Sequence, residues 1–230
     1  MKKRLLTLAT LTALTFLSAC QPPAPPAPPA PPAAPGSSTQ AKVDANGRAI
    51  PQSALGRTTA EALEAARKEL ATQNISINGG EDIQINGVGL KSDANLPKAE
   101  ITPAGDLIIG GKTVTATAAQ RTHLLAYRNE IIAIANAGMN MGVHGADLAS
   151  EALTNVPGLI FGGDEAHKAF EAKMEAKGKE MEAQAKLLCQ SLVPMLETQQ
   201  QLAAIMPEFK PYANLAQTDL DDCMKENKSK

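Results

Sequence analysis

Tryptophan is missing from this 230-residue chain, which holds only four phenylalanines and two tyrosines. The formal charge is −2, so there is no basic excess either. A nucleic-acid surface wants both positive charge and rings on which bases stack, and this chain offers neither. Cysteine is also scarce, at three, and no CxxC pair occurs. The three histidines, His123, His144 and His167, lie more than 20 residues apart. None has the HxxxH spacing that places two imidazoles on one metal. GxSxG and HExxH are missing too, which removes the usual signatures of serine and zinc hydrolases. Finally, no apolar run reaches the roughly 20 residues that a membrane-spanning helix needs.

The beginning of the chain is rich in meaning by contrast. Lys2, Lys3 and Arg4 precede an uncharged, mostly apolar stretch from Leu5 to Leu17, the layout of an export signal. The stretch ends Leu17-Ser18-Ala19-Cys20, which resembles the lipobox of bacterial lipoproteins. That resemblance implies cleavage before Cys20, a diacylglyceryl group on its thiol and acylation of the new amino group. Several acyl chains anchor stably where one binds reversibly. Gln21 rather than aspartate follows the cysteine, which by the same resemblance implies sorting to the outer membrane, with the body on its periplasmic face. Loss of residues 1–19 removes three positive charges and no negative ones, moving the formal balance from −2 to −5.

Residues 22–35 hold nine prolines in a Pro-Pro-Ala repeat. With Cys20 they form a rigid tether over 20–35, since polyproline II extends about 3.1 Å per residue and 15 residues reach roughly 45 Å. Residues 36–56, containing Gly, Ser and Asn, read as a flexible linker. The body is then 57–230, enough for one domain or for a small β part joined to a helical part. Once Cys20 carries lipid, Cys189 and Cys223 are an even pair in an oxidising compartment, which favours a disulfide between them over a redox thiol.

Within the body, Thr58 and Glu61 have capping-box spacing ahead of a run of helix formers. "ISINGG" and "IQINGVG" alternate apolar and polar residues as short strands do. Pro103-Ala104-Gly105 and Gly110-Gly111 are turn sequences flanking Leu107–Ile109. Residues 74–116 therefore read as a small antiparallel sheet. Thr117 and Gln120 form a second capping box, followed by Leu124, Tyr127, Ile131 and Ile134 at helical spacing. This helix is expected to end near Asn140, with another over roughly 145–155. From Asp164 the chain is helix-forming for some 40 residues, with Phe170, Met174, Met181, Leu188, Leu192 and Met195 on one stripe. Pro194 is expected to kink or end it. "NLAQTDLDDCMKEN" reads as a last short helix. The fold class is α+β, with the sheet followed by and packed on a helical hairpin or bundle over about 118–226.

Residues 99–128 carry Ile101-Thr102-Pro103 with Gly105, Gly111-Lys112, Ala119-Gln120-Arg121 and Tyr127. In these words the segment resembles the YggN-like family of periplasmic proteins, a domain of unknown function. The resemblance implies a periplasmic setting and a sheet-then-helices build. It implies no catalytic or ligand residues.

Few motifs suggest chemistry. Gly110-Gly111-Lys112-Thr113 has some letters of a phosphate loop, but Asp106 stands where that loop needs glycine, and the stretch joins two strands. Met139, Met141 and His144 are soft and borderline ligands of the kind that suit Cu(I). Methionines at such places more commonly fill gaps between helices. The carboxylate pairs Glu81-Asp82 and Asp219/Asp221/Asp222 read as solvated turns. "NVPGLIFGG", 155–163, is the most apolar exposed-looking stretch. It reads as a buried inter-helix loop, or as a membrane or protein contact through Leu159, Ile160 and Phe161. No cofactor and no catalysis are expected. The leading expectation is an envelope interaction or scaffold module with a protein partner. The alternatives are a small-ligand or copper carrier and a hydrolase of envelope material.

Overall fold

The computed structural model of the chain describes residues 42–78, 83–85, 88–90 and 95–226. The signal, Cys20 and the proline tether lie outside the described residues. The described part belongs to one compact unit spanning 39–230.

The first helix, α1 (Ala54–Thr72), begins earlier than the Thr58 box suggests. Ser53 is its N-cap, its Oγ accepting from Gly56 N at 2.8 Å. Thr58 lies inside the helix, and its hydroxyl donates to Ala54 O. Six short strands follow: β1 (Ile75–Ser76), β2 (Ile83–Ile85), β3 (Val88–Leu90), β4 (Ala99–Ile101), β5 (Leu107–Ile109) and β6 (Lys112–Thr113). β1, β4, β5 and β6 make one antiparallel sheet in that order, and β2 pairs with β3 separately. The Ile-x-Ile-Asn-Gly repeat supplies β1 and β2, which are not neighbours: Ile75 sits opposite Ile101, and Ile83 opposite Leu90. The turns fall where the glycines allow them. Gly110 and Gly111 both have positive φ between Ile109 and Lys112, the left-handed pair that a two-residue hairpin requires.

Three helices complete the unit: α2 (Ala118–Phe161), α3 (Gly163–Ile205) and, after a 3-10 turn at Lys210–Tyr212, α4 (Gln217–Glu226). The Thr117 box forms as a reciprocal pair. Gln120 N donates to Thr117 Oγ1, and Thr117 N donates to Gln120 Oε1. The sheet packs on this helical part through one core, in which Ile101 and Leu107 meet Leu124, Leu192, Leu202, Met206 and Phe209. Tyr127 and Phe209 stack edge to face, with ring centroids 5.4 Å apart. Cys189 and Cys223 are joined by a disulfide, Cα–Cα 5.8 Å, tying α3 to α4. Gln199 reinforces this join by donating to Leu215 O and accepting from Leu215 N. Arg128, 2 % exposed, donates to Ile101 O and to Leu70 O and Gln73 O, so one guanidinium links the sheet, α2 and the C-terminus of α1.

Three further readings of the sequence need correction. The flexible linker expected over 36–56 is, from residue 42 on, docked on α2. Val43 and Ala49 bridge across a turn at Gly47, and Ala49 is buried. Asn140 on α2 accepts from Ala49 N and donates to Gly47 O. The helix expected to stop near Asn140 instead runs unbroken to Phe161. Asn140, buried Val143 and Asp147 are each committed to neighbouring elements, and these contacts offset the weak propensity of Gly138, Gly142 and Gly145. Of the two outcomes expected at Pro194, the helix end does not occur: α3 continues through it to Ile205. That proline is on the exposed side, so the carbonyl it leaves unpaired, at exposed Gln190, is open to water.

Candidate interaction surface

α2 and α3 form an antiparallel hairpin, and α1 lies along only part of it. Arg128 of α2 reaches the C-terminal end of α1. Asp147 holds the other end, accepting from Gln52 N, Ser53 N and Ser53 Oγ at 2.6–3.0 Å. Past Asp147 the two long helices stand without α1. The 14 residues from there to Phe161 rise about 21 Å.

This arm is packed differently from the base. Among the described residues, the last buried position on α2 is Val143 and the first on α3 is Ala185. Between them α3 turns half-buried Phe170, Met174 and Met181 inward, interrupted by Lys177 and Gln184 as the sequence stripe suggests. Polar groups share the join with these apolar side chains. Lys173 of α3 pairs with Glu151 of α2 across it, while Lys177 pairs with Glu180 at 3.0 Å within α3. His144 Nε2 and Gln184 Nε2 are enclosed with no hydrogen-bond partner. Burial pushes the His144 imidazole below its ordinary value; Asp147 and Glu180 oppose that shift and Lys177 adds to it. With no buried position from 144 to 184 among the described residues, the arm is held by fewer buried apolar contacts than the base, which favours local opening there.

The outward side of α2 along the arm is apolar. Leu153, Val156 and Ile160 recur at helical spacing and are 69 %, 42 % and 67 % exposed. Residues 152–163, "ALTNVPGLIFGG", include no charged side chain. The stretch expected as an inter-helix loop is thus the last turns of α2, and Pro157 lies within the helix on its exposed side. Of the three contact residues read from the sequence, Ile160 is exposed, while the side chains of Leu159 and Phe161 lie outside the described residues. Leu153 and Val156 were missed. Their signal is the spacing 153, 156, 160, which shows only when the segment is read as helix.

The other candidates fall elsewhere. Met139, Met141 and His144 share one unbroken helix. Residues two apart on it point about 200° away from each other, so Met139 and Met141 do not converge. Met141 packs against the core. Among the described residues no cluster of three or more His, Cys, Asp or Glu is placed to hold a metal ion. Asp219 accepts from Ala216 N, Asp221 from Gln217 and Asp222 from Lys225, so these carboxylates serve α4 itself. Glu81 and Asp82 lie outside the described residues. Among the described residues no helix is long and apolar enough to cross a membrane.

No family model, no curated protein and no solved structure matches the chain.

Proposed function

We propose that this chain is a lipoprotein of the outer membrane, anchored through Cys20, whose body acts in the periplasm as a non-catalytic interaction module. The α2–α3 arm is its contact element. The observation that carries this reading is the exposed row Leu153, Val156 and Ile160 on the α2–α3 arm beyond α1. Large apolar side chains left in water on one helical face mark a surface meant to be covered. The anchor and tether fit the same role. A segment reaching roughly 45 Å lets the body meet something away from its own bilayer surface. The lipobox resemblance and the resemblance of 99–128 to the YggN-like family both support the periplasmic setting.

Two experiments test this. Cys20→Ser should move the protein from the membrane fraction to the soluble fraction; retention in the membrane contradicts the anchor. Leu153→Asp combined with Ile160→Asp alters exposed positions only, so unfolding should be nearly unchanged. Cross-linked assemblies formed by the parent chain in intact cells should disappear. Assemblies that persist with the doubly substituted chain contradict the role of the arm.

A further inference from the structure

The apolar row on α2 continues toward the base of the arm as a row of small residues. In order it reads Gly138, Gly142, Gly145, Ala149, Leu153, Val156, Ile160, with steps of 4, 3, 4, 4, 3 and 4 residues. All are solvent-exposed except Gly145, which is half-buried. The 22 residues make six turns, a mean near 3.67 per turn, so the row stays nearly straight along the helix for about 33 Å.

Two features single out what covers it. The first is that, among the described residues, nothing packs tightly enough on these glycines to require the absence of a side chain. Among the described residues, a Cβ at Gly138 or Gly145 meets no atom within 4 Å, and one at Gly142 reaches only Leu63 Cδ1 at 4.0 Å. Glycine inside a helix costs about 1 kcal/mol relative to alanine, so three on one face are kept against propensity. The second is symmetry. About Ala149, Gly145 mirrors Leu153, Gly142 mirrors Val156, and Gly138 mirrors Ile160. Two such helices laid antiparallel with Ala149 on the two-fold axis put every large side chain of one against a glycine of the other. This is the self-complementary pattern that an isologous contact requires.

We infer that the covering surface is α2 of a second copy of this chain, paired antiparallel about Ala149. This rests on reading the arm as an interaction element and names its partner. The row's length times a helix width of roughly 10–12 Å gives about 350 Å² per copy, or some 700 Å² in all. That is less than the 1,200–2,000 Å² of stable interfaces, so pairing is weak in dilute solution. Anchoring two copies to one bilayer raises their effective concentration toward the millimolar range and drives it.

The test uses the full lipidated chain in isolated membranes. Ala149→Cys places the substituted thiol on the axis, while Cys189 and Cys223 are occupied with each other. Mild oxidation should give a disulfide dimer on a non-reducing gel at least tenfold more abundant than in the parent chain or in Ala172→Cys, on the exposed side of α3. Adding Gly142→Leu should cut that yield about tenfold without lowering the melting temperature, because the site is open in the monomer and leucine favours helix more than glycine. Differently tagged chains carrying Gly138→Cys and Ile160→Cys should cross-link to each other and not to themselves. Equal yields at positions 149 and 172, or a preferred 160–160 product, overturn the pairing. If photo-reactive groups at Leu153 then capture a different envelope protein, the self-pairing fails and the interaction arm stands. If they capture nothing, both fail.

Discussion

Replacing Arg128 by methionine tests how the unit is held together. Arg128 is 2 % exposed, and its guanidinium donates to Ile101 O at 2.9 Å, Leu70 O at 2.8 Å and Gln73 O at 2.7 Å. Two of these carbonyls belong to the end of α1, where the helix dipole favours a cation. Hydrogen bonds from a charged donor contribute about 1.5–3 kcal/mol each, so three represent roughly 4.5–9 kcal/mol. Against this stands the cost of burying a charge, which is several kcal/mol and is relieved in the substituted chain. The expected net loss is about 3 kcal/mol. For a domain of this size that lowers the melting temperature by roughly 6–12 °C. Arg128→Lys keeps the charge but has one nitrogen for three carbonyls, and should fall between the two. Thermal and urea unfolding followed by circular dichroism reads both. A loss below about 1 kcal/mol for Arg128→Met would refute the idea that this one side chain couples sheet, α1 and α2.

Three further outcomes follow from the geometry. Gly56→Ala would bring its Cβ to 2.0 Å from Asp147 Oδ1, so the carboxylate must leave its bonds to Gln52 and Ser53. Loss of this cap contact costs about 1–2 kcal/mol and should appear as faster hydrogen exchange over 49–57. Cys189→Ser with Cys223→Ser opens a loop of 34 residues, and the loop-entropy relation gives a loss near 3–4 kcal/mol in urea unfolding. His144 titrates below the ordinary 6.5 in the folded chain because of its burial. The unfolded chain therefore takes up the proton first. The contribution is complete above pH 6.5 and is lost as pH falls from there through the folded value. His144→Gln should flatten that part of the stability–pH curve, and an unchanged slope would remove His144 as its source.

Local signals were legible in the sequence, and long-range ones were not. The Thr117–Gln120 box, the Gly110-Gly111 hairpin and the Cys189–Cys223 pairing depend on few residues, and each is found where the residues suggest. The start of α1 was misplaced because what organises Ser53 is Asp147, 94 residues away. The continuity of α2 was hidden for a related reason. Gly138, Gly142, Gly145 and Pro157 all read as breakers, while the contacts that overrule them come from residues 47–53 and from α3. Reading 155–163 as a loop also concealed the outer face of α2. Ile160 stood out as apolar, but the row it completes with Leu153 and Val156 exists only where 153–160 is helix.

Site-specific photo-cross-linking in living cells reads directly whether the α2 row is a contact surface. Reactive groups would be placed in turn at Ala149, Leu153, Val156 and Ile160, and at exposed Ala172 and Lys179 on α3 for comparison. A discrete cross-linked product is expected from the four α2 positions and little from the two on α3. Equal labelling at all six, or none at the α2 row while the protein is folded and anchored, would contradict it.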